Sequence, residues 1–434
     1  MGKNLISRRH FLAATTTTAS VALTGCVTNT ARVVPGKISP NEKLNIVSVG
    51  IGSMGTTDLK EVSGENIVAL CDVDEKALNA AGDGFKLAKK YVDYRRMFEK
   101  EDKNIDAVVV STPDHSHAPI SVMAMKMGKH CFCQKPLAHE IYEVRTMARV
   151  AAKRKLTTQM GTNVHASDNY RRVVEIVQAG SIGPVHELVC WFDKTLGGAK
   201  RPQGAFAVPE NLHWDLWLGP APERPYAPGY HPFGWRSWWD FGTGTLGDMA
   251  CHLMDLPFWA LGLRYPTSVE TEGPAVDPEV APIGMTVRYE FPSIAGRPGV
   301  KLTWHDGNHA SQEVAGHSVP GMGVMFIGEK GQLFADYGGY RLYPEGNFKD
   351  FEAPPRTIPP SIGHWKEWIQ ACKDGSPTTC NFDYAAALTE TVLLGNVAYR
   401  TGERLQWDAQ AMKATNCPEA DKYIRRQYRK GWAI

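Results

Sequence analysis

The stretch VGIGSMG, Val49 to Gly55, closes the apolar run Leu44–Val49 and opens a segment with helical spacing. Gly50, Gly52 and Gly55 form a GxGxxG pattern, with Ser53 and Met54 between the last two glycines. At a strand-to-helix turn each glycine has its own task. The first permits the tight turn, the second lets a pyrophosphate approach the backbone, and the third lets helix and strand pack closely. The helix N-terminus then favours the phosphate charge. Asp72 stands 22 residues after Gly50, at the end of the next apolar run, Asn66–Cys71. A carboxylate there accepts bonds from a ribose 2′-hydroxyl and repels a 2′-phosphate, which selects NAD over NADP.

Outward from the loop, strand and helix alternate. Ala107–Val110 is a strand, residues 117–127 a helix, 129–133 a strand, 140–154 a helix and 156–160 a strand. That spacing predicts a parallel, doubly wound sheet over residues 43–165. Two loops fall at carboxyl ends of its strands, where open sheets bind ligands. Ser111-Thr112-Pro113-Asp114-His115-Ser116-His117 ends one strand and Cys133-Gln134-Lys135-Pro136 the next. Thr112, Pro113, His115, His117, Gln134 and Lys135 are therefore candidates for the cofactor side.

The second half, residues 166–410, changes character. Ser167 caps a helix that Gly180 terminates. Long alternating segments follow at 185–193, 284–291, 300–305 and 323–343, which predict a large open, mainly antiparallel sheet. Helices at 361–374 and 383–401 are expected to return to the first domain, leaving 411–434 as a tail.

The first 26 residues carry Lys3, Arg8 and Arg9, an apolar run too short to span a bilayer, and Leu23-Thr24-Gly25-Cys26. SRRHFL is similar to a twin-arginine export motif, and the closing four residues to a lipoprotein cleavage site. The expectation is an exported, periplasmic protein, anchored to a membrane only through a lipid on Cys26 and a linker at 27–42. The whole chain has 48 Lys and Arg against 46 Asp and Glu; without residues 1–25 the balance is 45 against 46. Near-neutral charge gives no reason to seek nucleic acid or an anionic membrane. The eight other cysteines show no CxxC pair and suit buried positions, so few or no disulfides are expected.

Chemistry concentrates in two further places. In GDMACHLMD, Gly247 to Asp255, helical period puts Asp248, His252 and Asp255 on one face. No third ligand lies at a firm spacing, so no metal is expected. Ahead of it runs HWDLWLGPAPERPYAPGYHPFGWRSWWDF, residues 213–241, dense in aromatic rings. Flat rings among hydrogen-bonding groups suit a sugar; an aromatic interdomain core or subunit contact is the alternative. Trp235, Arg236 and Trp238, near His252 in sequence, are expected closer to a substrate than Trp214 or Trp217.

The glycine loop, STPDHSHAPI, CQKPLAHE and the DxxxH of GDMACHLMD occur in that order over about 43–410. Together they resemble the glucose–fructose oxidoreductase/inositol dehydrogenase (Gfo/Idh/MocA) family. The resemblance implies a Rossmann domain plus an α/β domain whose open sheet often mediates dimer or tetramer formation. It implies Lys135 and His252 as catalytic candidates, Asp248 beside the substrate, and Asn163, His165 and Tyr170 on the substrate side. The family's usual EKP reads QKP here, so Gln134 cannot charge-pair Lys135. Oxidation of a secondary alcohol would use neutral His252 as base, Lys135 to stabilise the alkoxide, and Asp248 to hold the imidazole or a hydroxyl. Lys135 is the alternative base. The expected activity is NAD-dependent oxidation of a carbohydrate hydroxyl with a retained, recycled cofactor. The alternatives are redox-neutral, NAD-dependent glycoside cleavage and, third, a non-catalytic sugar-binding lipoprotein.

Overall fold

The computed structural model describes residues 42–434. Residues 1–26, read above as an export signal ending at Cys26, and most of the expected linker lie outside the described residues. The glycine turn sits where the pattern requires it. The first domain runs β1 (Asn45–Val49), α1 (Met54–Glu61), β2 (Asn66–Cys71), α2 (Glu75–Gly84), β3 (Lys89–Tyr91), α3 (Tyr94–Glu101), β4 (Ala107–Val110), α4 (Asp114–Lys126), β5 (His130–Cys133), α5 (Ile141–Arg154) and β6 (Thr158–Met160). Its six strands are all parallel, in the order β3-β2-β1-β4-β5-β6. Every residue of β4 is buried, as expected of a strand with helices on both faces. The order reverses between β1 and β4, which opens a crevice at their carboxyl ends.

The second domain runs α6 (Asp168–Gln178), β7 (Val185–Phe192), α7 (Trp214–Leu218), α8 (Gly244–Leu253), α9 (Asp255–Leu261), β8 (Ser268–Glu272), β9 (Thr286–Phe291) and β10 (Val300–Asp306). A small hairpin, β11 (Glu313–Val314) and β12 (His317–Ser318), comes next. The chain ends with β13 (Met322–Gly328), β14 (Gln332–Ala335), β15 (Tyr340–Tyr343), α10 (His364–Asp374), α11 (Phe382–Thr401), β16 (Leu405–Asp408), β17 (Lys413–Ala414) and α12 (Asp421–Ile424). Ser167 accepts from the Tyr170 N–H and caps α6. Nine strands form one open sheet, ordered β15-β14-β13-β7-β10-β9-β8-β16-β17.

The sheet is mainly antiparallel, as expected, and its central pair is the exception: β7 and β10 run parallel, while the remaining pairs are antiparallel. A parallel pair needs a long crossover, and the segment carrying α7, α8 and α9 supplies it. Strands β8 and β16 were not foreseen. Neither Ser-Val-Glu-Thr-Glu nor Leu-Gln-Trp-Asp is long or apolar enough to stand out from loop.

Helices α10 and α11 return to the first domain. Trp368 and Cys372 of α10 enter the core formed by Val109 and Phe132, and buried α11 packs on α5. Asn381 caps α11 by accepting from the Asp383 and Tyr384 N–H groups. All eight cysteines of the described residues are buried and unpaired. Among the described residues no helix is long and apolar enough to cross a membrane.

Candidate functional site

A cleft of about 740 Å³ lies over the crevice, between the glycine loop and the start of α8. Its floor explains the glycines one by one. Gly50 has φ +80°, and a Cβ there would meet Ser111 C and Thr112 N at 2.7 Å. A Cβ on Gly55 would lie 2.1 Å from the Gly50 carbonyl oxygen. Gly52 differs: a Cβ there meets nothing nearer than Ala77 Cβ at 4.0 Å. The protein itself does not demand glycine at 52, so the cradle it leaves is room for a ligand's approach. Ser53 and Met54 line the same wall. Asp72 lies on the cleft wall, its carboxylate oriented by the N–H groups of Ile51 (2.7 Å) and Asp74 (2.9 Å). Burial raises its pKa, and those two bonds oppose the rise. An open backbone cradle at a helix N-terminus, with a carboxylate at the end of β2, fits the pyrophosphate and ribose of NAD.

Thr112, Pro113, Gln134 and Lys135 also line the cleft. His115 and His117 do not, which corrects their assignment. Both rings are buried against backbone carbonyls. The nitrogens of His115 face Phe241 O and Trp217 O at 3.2 and 2.9 Å, and those of His117 face Pro136 O and Thr112 O at 2.9 and 2.7 Å. Burial lowers their pKa values to about 3 and about 4, so each ring is neutral and donates through one nitrogen to one of its two carbonyls.

Gln134 also has an unforeseen partner. Its amide donates to both carboxylate oxygens of Asp58 on α1, at 3.0 and 2.9 Å. Asp58 further accepts from the Ser111 hydroxyl (2.6 Å) and the Trp365 indole (3.0 Å). Burial nonetheless raises its pKa. A glutamate at 134 would face that carboxylate; the amide suits it.

Lys135 draws its counter-charge from across the cleft. Its ammonium donates to Asp248 Oδ1 (2.7 Å) and to the Asp248 carbonyl (2.9 Å). Arg236 Nε donates to the same Oδ1 at 3.2 Å, while its guanidinium packs 4.2 Å from the Trp235 ring centre and 4.4 Å from that of Phe233. Burial pushes the Asp248 pKa up, but the Lys135 and Arg236 charges prevail and hold it at about 2. Asp248 is thus committed to these cations and makes no hydrogen bond to His252. The expectation that it holds the imidazole is corrected.

His252 stands one turn along α8, on the cleft wall, with Nδ1 unpartnered by protein. Burial, then the Lys135 charge, lowers its pKa to about 3. Asp255 does not share its face, because α8 stops at Leu253 and a new helix starts at Asp255, two residues before Pro257. Asp255 is fully buried behind the cleft, accepting from His165 Nδ1 (2.9 Å) and the Tyr384 hydroxyl (2.7 Å). His165 therefore lies behind the cleft wall. So does Tyr170, whose hydroxyl donates to the His252 carbonyl (3.1 Å) and steadies α8. Asn163 does line the cleft.

The aromatic run divides. Tyr230, Trp238 and Phe241 are fully buried and pack with Trp217 and Trp214 as a small core of their own. Trp238 does not reach the cleft, contrary to expectation, whereas Trp217, Phe233 and Trp235 do. Their sequence proximity to His252 could not reveal this, because the run folds back on itself around Phe241.

Among the cleft residues that escaped sequence reasoning, two stand out. Asp114, the first residue of α4, accepts from the Thr243 hydroxyl at 2.7 Å, and burial raises its pKa to about 7. It stood in the STPDHSH stretch, a strand-end loop, but nothing local separates it from an N-terminal helix carboxylate. The other is Trp432, from the segment expected to be a tail.

A doubly wound parallel sheet with this glycine cradle, joined to a second domain whose helix α8 supplies Asp248 and His252 beside an open sheet, defines a two-domain, dinucleotide-binding α/β protein. The comparisons give it a family. Residues 44–162 match the description "Oxidoreductase family, NAD-binding Rossmann fold", and residues 190–434 match "Oxidoreductase family, C-terminal alpha/beta domain". The chain belongs to the Gfo/Idh/MocA oxidoreductase family, with NAD as its cofactor.

Among curated relatives, it is 30% identical over 148 residues to a myo-inositol 2-dehydrogenase of Thermotoga maritima, covering 33% of this chain and 44% of that one. It is 27% identical over 203 residues to an alpha-N-acetylgalactosaminidase of Shewanella oneidensis, covering 41% of this chain and 44% of that one. The chain thus spans less than half the length of these relatives. Among solved structures, GenD2 from gentamicin A biosynthesis, in complex with NAD, shares the fold at TM-score 0.61 and 20% identity. The likeness covers 87% of this chain and all of that one.

Proposed function

We propose that the protein oxidises a secondary hydroxyl of a carbohydrate and works with a retained NAD. The observation that carries the proposal is the Lys135–Asp248–Arg236 cluster, with His252 one turn away, facing the glycine cradle across one cleft. NAD, when bound, would supply a hydride acceptor. Gly52, Asp72 and the Thr112–Pro113 loop would hold it. Lys135, fixed by Asp248, is placed to stabilise a developing alkoxide. That contact commits Lys135 Nζ to Asp248 Oδ1 and the Asp248 carbonyl, so proton acceptance falls to His252. Neutral imidazole is the form a base needs, and alkoxide stabilisation by Lys135 offsets its low basicity. Trp235 and Phe233 offer ring faces to a sugar's C–H surface, beside the polar groups of Arg236 and Asn163.

A second reading has one observation in its favour, the similarity to an alpha-N-acetylgalactosaminidase. In it, a ring hydroxyl would be oxidised with its hydride passing to bound NAD, the adjacent C–H would lose its proton as the aglycone leaves, water would add across the new double bond, and the hydride would return to the sugar. Both readings suit a protein exported folded, with its cofactor inside, as residues 1–26 suggest. They also suit a lipid anchor on Cys26 and self-association through the open sheet as a dimer or tetramer.

The test incubates the purified protein with a panel of sugars and aryl glycosides, without added NAD, following keto-sugar and aglycone together. Keto-sugar alone supports the oxidoreductase, and aglycone release supports the second reading. Neither product, from protein shown to carry NAD, refutes both.

A further inference from the structure

The segment after α12 does not trail into solvent. Arg426 is almost buried. It donates to the carbonyls of Asp240 and His115, both at 3.1 Å, and lies 3.8 and 3.5 Å from the carboxylates of Glu140 and Glu143. The Tyr428 hydroxyl donates to Glu143. Arg429 donates through Nε to the Gly219 carbonyl (3.1 Å) and through Nη2 to the Asp215 carbonyl (2.7 Å), and pairs with the Asp215 carboxylate. These bonds tie the segment to both domains in turn: α5 in the first, the α7 region in the second. They end by setting Trp432 on the cleft wall.

Trp432 occupies a particular part of that wall. Its ring lies 6.1 Å from that of Tyr94, the first residue of α3, and the Arg95 guanidinium covers it at 4.5 Å. The glycine loop marks where a pyrophosphate sits, and Lys135, after β5, marks the reacting end. The other half of the dinucleotide therefore falls on the opposite side, over β2 and β3 and beyond Asp72. The cleft there is walled by Val73, Val92, Tyr94 and Trp432. A flat base with an apolar face suits two aromatic rings and two valines.

We propose that residues 425–434 are a strap over the adenine end of the cofactor site, and that Trp432 is a binding residue for the adenine. The proposal rests on the NAD-dependent reading above and adds a cause for cofactor retention: the base is held by a segment anchored in both domains. Neither GxGxxG nor DxxxH carries that information.

The test follows release of bound NAD from purified holoprotein into buffer containing an NAD-consuming trap enzyme. Wild type, Trp432→Ala, Trp432→Phe, Arg429→Ala and Asp72→Ala are compared, each with a melting curve taken in excess NAD. Loss of one base-stacking ring should speed release about 10-fold or more in Trp432→Ala. Trp432→Phe should stay near wild type. Arg429→Ala, which frees the strap without touching the ring, should also release faster. ADP-ribose, which lacks the nicotinamide, should weaken in parallel with NAD. Release at the wild-type rate from both Trp432→Ala and Arg429→Ala, with Asp72→Ala fast, overturns the strap and leaves the dinucleotide site standing. A wild type that binds neither NAD nor ADP-ribose overturns both proposals.

Discussion

Gln134 stands where relatives of this family usually carry glutamate, and its buried contact with Asp58 makes Gln134→Glu an informative perturbation. In the wild type the amide donates to both Asp58 oxygens, at 3.0 and 2.9 Å, in a site with 0% exposure for Asp58 and 5% for Gln134. Glutamate removes the donor and sets a second carboxylate in its place. If both ionise, charges about 3 Å apart repel by about 5 kcal/mol at an effective dielectric of ~20. If one stays protonated at pH 7, the cost is about 3.7 kcal/mol, from an ordinary pKa of about 4.3 and 1.36 kcal/mol per pH unit. Protonation is cheaper, so the variant should lose roughly 3–4 kcal/mol at pH 7.

The sign of the pH dependence follows. A carboxyl whose folded pKa is raised contributes stability below its unfolded pKa and loses it as pH rises. The deficit of Gln134→Glu should therefore shrink to about 1 kcal/mol at pH 5. Urea midpoints and melting temperatures of both proteins at pH 5, 6 and 7 measure it. Asp58→Asn added to Gln134→Glu should recover most of the loss, since one amide again meets one carboxylate. An unchanged midpoint at pH 7, or a deficit independent of pH, would refute the pairing.

Other outcomes are equally definite. Trp238→Ala should cost about 3–5 kcal/mol of stability and spare specific activity, because the ring is core; Trp235→Ala should instead raise KM or lower kcat/KM with a smaller change in melting temperature. If Trp238→Ala folded as well as wild type but lost activity, the division of the aromatic run would be wrong. His252→Ala should lower turnover by about 10²–10⁴-fold and leave NAD bound, which single-turnover kinetics and cofactor content report. Asp114 has its pKa raised to about 7, so it stabilises the fold below its unfolded pKa of about 3.9 and loses that contribution as pH rises through 7. Asp114→Asn should gain in melting temperature over wild type between pH 4.5 and 8, and a difference constant across that range counts against burial of the charge.

What the sequence determined alone was local chemistry with a strong signal. Turn, strand and cap chemistry act within a few residues, so Gly50-Ile51-Gly52-Ser53-Met54-Gly55, Asp72 at the next strand end, the Ser167 cap and the alternation of β4, α4 and β5 were legible. So was the placing of Lys135 at the end of a parallel strand, because βα topology leaves that end open. Helical period carried Asp248 to His252 but failed at Asp255, where a helix break rotates the face. Tertiary structure decided the rest. Gln134 meets Asp58 across 76 residues and Asp114 meets Thr243 across 129, and no periodicity links such pairs. Trp235 and Trp238 are alike in sequence, yet one faces the cleft and the other Tyr230 and Phe241. Which ring is buried depends on what packs against it, and so does the place of Trp432 at the cleft, set by ion pairs and carbonyls from both domains. A chain pattern records each residue's own preferences; only the folded chain supplies its neighbours.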